Sequence, residues 1–144
     1  MGRRTTRGEF LADACTTCLC VAAGGLLTQG CRSLPAVDAE RARPRGAPAS
    51  FIARADDVKA AFYFVKGTVK GVLVRIPGGI VGYRNKCTHQ GAPCALREGA
   101  LVCVWHGSAF DPATGKVVRG PAQKPLEPLK LEIRDGLVLL ARGK

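Results

Sequence analysis

Residues 87–94 read CTHQGAPC and residues 103–110 read CVWHGSAF, and these two stretches decide how the whole chain is interpreted. The first begins with a C-x-H pair and the second with a C-x-x-H pair. The chain has only two histidines, and each of them follows a cysteine at chelating spacing. Thiolate and imidazole together are a ligand set for zinc or for iron in a cluster. The pattern therefore predicts a metal centre shared by both stretches.

The two stretches resemble the cluster-binding motifs of the Rieske iron–sulfur proteins. The first carries CTHxG from Cys87, and the second carries CxxHGSxFD from Cys103. The likeness continues in TGKVV at 114–118 and in GPA at 120–122, which is similar to the proline loop of that family. The resemblance covers roughly residues 51–140.

The resemblance implies one [2Fe–2S] cluster as the cofactor, with two Cys on one iron and two His on the other. It assigns Cys87 and Cys103 to the inner iron, and His89 and His106 to the outer one. It also implies surrounding residues that let the backbone approach the cluster, donate a hydrogen bond to a cluster sulfur or ligand sulfur, and limit the access of water to the cluster. The members of this surrounding shell are Gly91, Gly107, Ser108, Phe110 and Pro121.

The ligand types alone leave a structural Cys2His2 zinc site as an alternative. Zinc pairs usually leave about two to four residues between ligands, so a C-x-H pair is unusual for zinc. Glycine-rich flanks, in contrast, suit a loop whose amides approach inorganic sulfide closely. We therefore expect the cluster and keep the zinc module as the less favoured reading.

The high-potential members of the family have a disulfide that clamps the two loops together. The corresponding positions here are Ala92 and Trp105, and Cys94 is displaced by two residues without a partner in the second stretch. These departures favour the ferredoxin-like and nitrite-reductase-like members. We expect Trp105 to pack in the core and Phe110 to stand where quinol-oxidising members have a tyrosine.

Length and charge limit the classes of protein that fit. A chain of 144 residues supports one domain. The net charge is +11, and the part after Gly46 has fifteen Lys and Arg against seven acidic residues. The folded part is thus basic and would attract an acidic, cytochrome-like redox partner. A nucleic-acid ligand is not expected, because no basic block or aromatic–basic motif accompanies the charge.

Residues 1–31 are predicted to be a signal peptide or a membrane anchor. Three arginines precede an uncharged stretch from 14 to 30, which is short for a spanning helix. The sequence TRGEFL at 6–11 resembles a twin-arginine export signal whose second arginine is replaced by Gly8. That route carries folded proteins that already contain their cofactor.

The processing of this segment is left open. The sequence LLTQGC at 26–31 resembles an imperfect lipoprotein box, which would place a lipid on Cys31. An uncleaved anchor and a cleavage after Ala39 are the other two routes. We expect the domain to be exported to the periplasmic face of the membrane. Residues 32–50 contain prolines and arginines without an apolar pattern, and they are predicted to be a linker.

Residues 51–144 are predicted to form the Rieske domain, and their periodicity is that of β-strands. In 69–76, Val72 and Val74 fall on one face and Leu73 on the other. Turn signals lie at 77–79, 98–99 and 135–136, and no segment has a strong helical period. Predicted strands are 61–65, 69–76, 80–84, 100–103, 129–133 and 137–140. The pattern favours an all-β fold, a small antiparallel sandwich or barrel with both ligand loops at one end.

The expected function is one-electron transfer through the cluster. Such a site needs an exposed edge and no substrate pocket, so we expect an electron-transfer protein or oxidoreductase subunit and not a stand-alone enzyme. Our first hypothesis is an exported, membrane-tethered carrier or a subunit of a respiratory, quinol-oxidising complex. The alternative is a soluble cytoplasmic Rieske ferredoxin of an oxygenase system. The N-terminal segment favours the first hypothesis, because such ferredoxins need no such segment.

Overall fold

The computed structural model describes residues 35–141, and these residues form an all-β domain. The strands are Val37–Asp38 (β1), Phe51–Arg54 (β2), Ala61–Lys66 (β3), Val69–Ile76 (β4), Gly79–Arg84 (β5), Cys94–Arg97 (β6), Ala100–Cys103 (β7), Ala109–Phe110 (β8), Val117–Arg119 (β9), Leu131–Arg134 (β10) and Leu137–Leu140 (β11). One 3-10 turn at Ala55–Asp57 is the sole helical element of this part. The all-β prediction is thus confirmed.

The strands form three small sheets, whose orders are β1-β3-β4-β5, β10-β11-β2 and β6-β7-β8-β9. Every pairing is antiparallel except that of β1 with β3. The hairpin turns at 77–78, 98–99 and 135–136 lie where the turn signals predicted them. Glu98 and Asp135 have positive φ of 48° and 51°, and each precedes a glycine that also has positive φ. Two successive residues with positive φ are what a tight two-residue hairpin turn requires.

Strand β4 separates two hydrophobic cores. Val72 and Val74 pack in the core that also contains the cysteines of the predicted site, and Leu73 packs in the other core with Ile52 and Val138. Alternate side chains of a strand point to opposite faces, so a strand buried on both faces supplies both cores. The predicted alternation along β4 is confirmed.

The segment before β10 connects the first two sheets along the edge of β5. The Arg84 N–H donates to the Glu127 carbonyl at 2.8 Å, and the Leu129 N–H donates to the Gly82 carbonyl at 2.8 Å. Leu129, predicted as the start of a strand, therefore pairs with β5 before β10 begins at Leu131. These bonds satisfy backbone groups that would otherwise be left at a sheet edge.

Part of the predicted linker makes contacts with the domain. Val37 and Asp38 pair with Phe64 and Val65 of β3, and Ala39 is wholly buried. Its N–H donates to the Val65 carbonyl at 2.9 Å. A cleavage after Ala39 would therefore separate β1 from the sheet that it extends.

The predicted targeting segment at 1–31, with its lipoprotein box and export signal, lies outside the described residues. Within 35–141, no helix has the length and apolar character needed to cross a membrane.

Candidate metal centre

The two predicted ligand loops have the same backbone hydrogen bonds. In the first loop, the Cys87 N–H donates to the Ala92 carbonyl and the Gly91 N–H donates back to the Cys87 carbonyl, both at 2.8 Å. In the second, the Cys103 N–H donates to the Ser108 carbonyl at 2.8 Å, and a glycine N–H donates to the Cys103 carbonyl at 3.1 Å. Each loop therefore turns within five residues and returns the chain beside its cysteine.

A glycine four residues after each cysteine makes this turn possible. Gly91 and Gly107 have φ of 82° and 70°, in the left-handed region that side chains with a Cβ rarely adopt. The shared C-x-x-x-G spacing of the two stretches thus has a backbone reason that does not depend on a metal. Both predicted glycines lie where the loops bend.

The structure brings the four predicted ligands together as a buried pair and an exposed pair. Cys87 and Cys103 are free thiols, exposed by only 2% and 3%. His89 and His106 are exposed, and their ring centroids are 5.0 Å apart with an interplanar angle of 77°. Two soft sulfur donors thus lie inside the fold, while two imidazoles face each other at its surface.

The remaining predicted shell residues are held by the segment that follows β9. The buried Ser108 hydroxyl accepts a hydrogen bond from the Ala122 N–H at 3.0 Å, and Arg119 Nε donates to the Gly107 carbonyl at 3.2 Å. Thr88 of the first loop donates to the Lys124 carbonyl at 2.6 Å. Residues 119–124 therefore connect to both loops through hydrogen bonds.

Pro121 and Phe110 occupy different environments in this arrangement. Pro121 is exposed, follows a cis peptide bond with Gly120, and lies in the segment that binds Ser108. Phe110 is wholly buried and packs in the same core as the site cysteines. Pro121 is thus surface-exposed beside the loops, and Phe110 forms part of the support beneath them.

The prediction that Trp105 packs in the core is wrong. Its side chain is 56% exposed and lies edge-on to His106, with ring centroids 6.3 Å apart. The turn that buries Cys103 directs the next three residues outward, and Val104 is 37% exposed as well. The exposed residues 88–90 and 104–106 together form what we call the tip surface.

Cys94 is the one nearby residue whose position the spacing did not reveal. It is wholly buried at the start of β6, in the same hydrophobic core as Cys87 and Cys103 and directly opposite Cys103 in the sheet. Burial, and secondarily the two neighbouring thiols, raise the pKa of Cys94 far above its ordinary value. A signal for this pairing exists in the predicted 98–99 hairpin, because that turn places Cys94 opposite Cys103.

The donors fit a two-iron cluster better than a closed zinc site. A structural zinc ion takes four side chains around one point. Among residues 35–141, no group of three or more His, Cys, Asp and Glu side chains is arranged to hold a single metal ion. A two-iron cluster needs only two protein ligands for each iron, and it accepts thiolates on one side and imidazoles on the other.

Comparison with known proteins gives one consistent family. The profile of the Rieske [2Fe-2S] domain matches residues 49–130. The cytochrome b6-f complex iron-sulfur subunit 2 of Nostoc sp. is 32% identical over 99 residues, which are 65% of this chain and 55% of that protein. The cytochrome b6-f complex iron-sulfur subunit of Prochlorococcus marinus is 39% identical over 80 residues, 53% of this chain and 44% of that protein. The chain thus spans about half the length of these relatives.

Solved structures with the same fold come from two settings. The plasma membrane Rieske protein of Synechocystis PCC 6803 superposes with a TM-score of 0.58 at 23% identity, covering 64% of this chain and 98% of that one. The Sphingomonas yanoikuyae B1 ferredoxin superposes with a TM-score of 0.54 at 24% identity, covering 62% and 94%. At such identities the likeness establishes the fold alone.

The domain of this family holds one [2Fe–2S] cluster, and the paired thiols and imidazoles at the end of the fold have the chemistry that such a cluster requires. Because the family profile matches more than half of its residues, this chain belongs to the Rieske [2Fe–2S] family and transfers electrons through that cluster.

Proposed function

We propose that Cys87 and Cys103 bind one iron of the cluster, and that His89 and His106 bind the other. The observation that carries this assignment is the separation of the donors into a buried thiol pair and an exposed imidazole pair 5.0 Å apart. When bound, the cluster supplies a one-electron acceptor, and its two imidazole ligands raise its potential relative to an all-thiolate cluster.

The exposed histidines make the tip surface the place where electrons enter and leave. Electron transfer needs a short path from the redox site to a partner, and His106 and Trp105 are both exposed at that end of the domain. The chain thereby supplies a contact surface for a redox partner.

Charge complementarity favours an acidic redox partner for this surface. Arg119 and Lys124 connect to the two loops through hydrogen bonds, and the side chain of Lys86 packs over Gly91. From 85 to 125 the chain has five Lys and Arg against Glu98 and Asp111 alone. Basic residues around the tip surface suit a cytochrome-like partner with acidic residues around its own exposed cofactor.

The setting that we propose is an exported, membrane-tethered electron carrier or a subunit of a quinol-oxidising respiratory complex. The arginine-rich start and uncharged stretch of residues 1–31 support export or anchoring. The likeness to subunits of the cytochrome b6-f complex supports the same choice.

Two observations support a ferredoxin as the alternative function. Ala92 and Trp105 stand where the disulfide of high-potential proteins would be, and the fold superposes on an oxygenase ferredoxin about as well as on a membrane protein. A Rieske ferredoxin of an oxygenase system is therefore the second candidate.

Metal analysis of the purified protein tests the ligand assignment. We expect two iron and two acid-labile sulfides per chain, and a rhombic electron paramagnetic resonance signal of low average g after reduction. His106→Ala should lose the signal and the visible absorption, because one iron loses a ligand. Cys94→Ser is the matched control, since it alters a neighbouring thiol that we do not assign as a ligand. One zinc per chain, or an intact signal in His106→Ala, would contradict the assignment.

A further inference from the structure

Cys94 has no role in the proposed ligand set, yet it lies among the ligands. It is wholly buried, it shares one core with Cys87 and Cys103, and it lies directly across the sheet from Cys103. A buried cysteine in contact with one apolar neighbour would be ordinary packing. Cys94 instead has a proposed ligand cysteine directly across the sheet, so that oxidation of one sulfur has a second sulfur within reach.

The strand register singles out one pair among these three cysteines. Cys94 of β6 lies directly opposite Cys103 of β7. The Cys94 N–H donates to Asn85 Oδ1 at 2.7 Å, and the Cys103 N–H donates to the Ser108 carbonyl at 2.8 Å. Since neither amide bonds to the opposite cysteine, the two form a non-hydrogen-bonded cross-strand pair.

Such a pair has the spacing that a disulfide needs. The Cα atoms of a non-hydrogen-bonded antiparallel pair are about 4.5 Å apart. Disulfides span Cα separations of about 4.4–6.8 Å. Cys94 and Cys103 can therefore be joined within the sheet without moving a strand, whereas Cys87 reaches Cys94 from another loop and has no such register.

We propose that Cys94 and Cys103 form a reversible disulfide when the cluster is absent, with a peroxide as the oxidant. The proposal rests on the proposed function, because it takes Cys103 to be a cluster ligand. The sulfur of Cys103 would then have two exclusive states, bound to iron or bonded to Cys94. Cys94 is thus an oxidation site that protects a ligand and blocks cluster insertion until it is reduced.

The chemistry balances in two steps. The Cys103 thiolate attacks hydrogen peroxide, the O–O bond breaks, and a sulfenic acid and hydroxide form. The Cys94 sulfur then attacks the sulfenic sulfur, the S–O bond breaks, and the hydroxide that leaves takes up a proton as water. In sum, two thiols and one hydrogen peroxide give one disulfide and two waters. A dithiol reductant reverses the reaction through thiol–disulfide exchange.

The test uses the full chain, freed of metal under anaerobic conditions and treated with an equimolar amount of hydrogen peroxide. Free thiols are blocked, and the protein is digested with trypsin without reduction. We expect peptide 87–97 to be joined to peptide 98–116, and fragmentation to place the bond between Cys94 and Cys103. Cys94→Ser and Cys94→Ala should lack this bond, and Cys87→Ser should keep it. Two replacements of Cys94 are used, so that the other variant still gives a result if one of them fails to fold.

Recovery of the cluster supplies the second readout. When an excess of peroxide is followed by dithiothreitol and then by ferrous iron and sulfide, the wild type should regain its cluster, whereas the Cys94 variants should not, because their Cys103 has proceeded to irreversible acids. Cys103 oxidised without a bond to Cys94, a bond to Cys87 instead, or equal recovery in the variants would overturn the proposal. A normal disulfide in a protein that never binds iron would instead contradict the proposed function, so the two failures are distinguishable.

Discussion

The Ser108 hydroxyl accepts one hydrogen bond and can donate another. It accepts the Ala122 N–H at 3.0 Å, and its own proton remains available for a second hydrogen bond. A hydrogen bond to a cluster sulfur stabilises the reduced, more negative state and therefore raises the potential. Phe110 cannot donate such a bond, and no disulfide can span Ala92 and Trp105. We expect a potential below the top of the Rieske range, which runs from about −150 to about +300 mV.

Ser108→Ala should lower the potential by roughly 40 mV, because a hydrogen bond of about 1 kcal/mol corresponds to that shift for one electron. Protein-film voltammetry measures the change. Thr88→Val is the control, since it also removes a hydrogen bond to the 119–124 segment but not the buried hydroxyl. Phe110→Tyr adds a donor and should shift the potential upward. Equal shifts in Ser108→Ala and Thr88→Val would mean that the segment's attachment sets the potential.

We expect the carboxylate of Asp111 to make the stability of the domain depend on pH. Its Oδ1 accepts hydrogen bonds from the Thr114 hydroxyl at 2.7 Å and from the N–H groups of Thr114 and Ala113. These bonds, the hydroxyl first, lower the pKa of Asp111 below its ordinary value. The stability that they contribute is present above the ordinary pKa, about 3.9 for Asp. It is lost as the pH falls through the lowered pKa of the folded state.

Asp111→Asn should therefore flatten the acid side of the stability profile. The amide oxygen still accepts hydrogen bonds but cannot be protonated, so the free energy of unfolding should fall less between neutral and acidic pH than in the wild type. Denaturant titrations at several pH values measure this difference. Thr114→Val, which removes the hydroxyl, should reduce the dependence in the same direction. Parallel profiles in all three proteins would show that Asp111 does not contribute.

At the scale of the elements, Gly71 shows how tightly β4 packs against β3. It lies opposite Phe64, which is wholly buried. A Cβ on Gly71 would come within 2.3 Å of the Phe64 ring. The absence of a side chain at one strand position therefore makes room for the aromatic ring on the next strand.

Gly71→Ala should destabilise the domain by about 1–3 kcal/mol, because a methyl group added to a filled core forces the ring and strands to shift. Urea unfolding followed by fluorescence or circular dichroism checks the value. Gly78→Ala is the matched control, since a Cβ there meets no atom within 4 Å. If the two variants unfold at the same denaturant concentration, the ring must have another position available.

The sequence was sufficient for the longer elements and insufficient for some contacts across strands, while the assignment of the four ligands stays a prediction. Alternation along β4 and the turn at 98–99 predicted the strands correctly, because a half-buried strand and a tight turn each have a local pattern. Strands β8 and β9 have two and three residues, too few for any period to be visible. The pairing of Cys94 with Cys103 was missed because β6, which contains Cys94, was not among the predicted strands, so the register of the 98–99 turn was not extended to it.

Trp105 illustrates a different limit of prediction from the sequence. Large aromatic residues are usually buried, so core packing was the natural expectation. The backbone turn that buries Cys103 takes precedence, since the next residues must pass around the site before the chain returns at Ser108. Exposure of an aromatic residue beside His106 is therefore a consequence of the loop, and it adds an apolar side chain to the tip surface.

At the scale of the whole molecule, the net charge of +11 and the position of the site act together. A basic protein associates with an acidic partner faster at low salt. The exposed histidines determine which face of the domain must contact that partner for electron transfer. We expect attachment through residues 1–31 to confine that search to a membrane surface.

We expect the native protein to fractionate with membranes and to be accessible to protease from the outer face, because residues 1–31 contain an arginine-rich start and an uncharged stretch. Cys31→Ala should release the domain if a lipid on Cys31 is the anchor, and leave it attached if the segment itself is the anchor. Cys20→Ala is the matched control, since it removes a cysteine of the same segment outside the lipoprotein box. Immunoblots of separated fractions measure both variants. Soluble cytoplasmic protein with residues 1–31 intact would contradict export and favour the ferredoxin alternative.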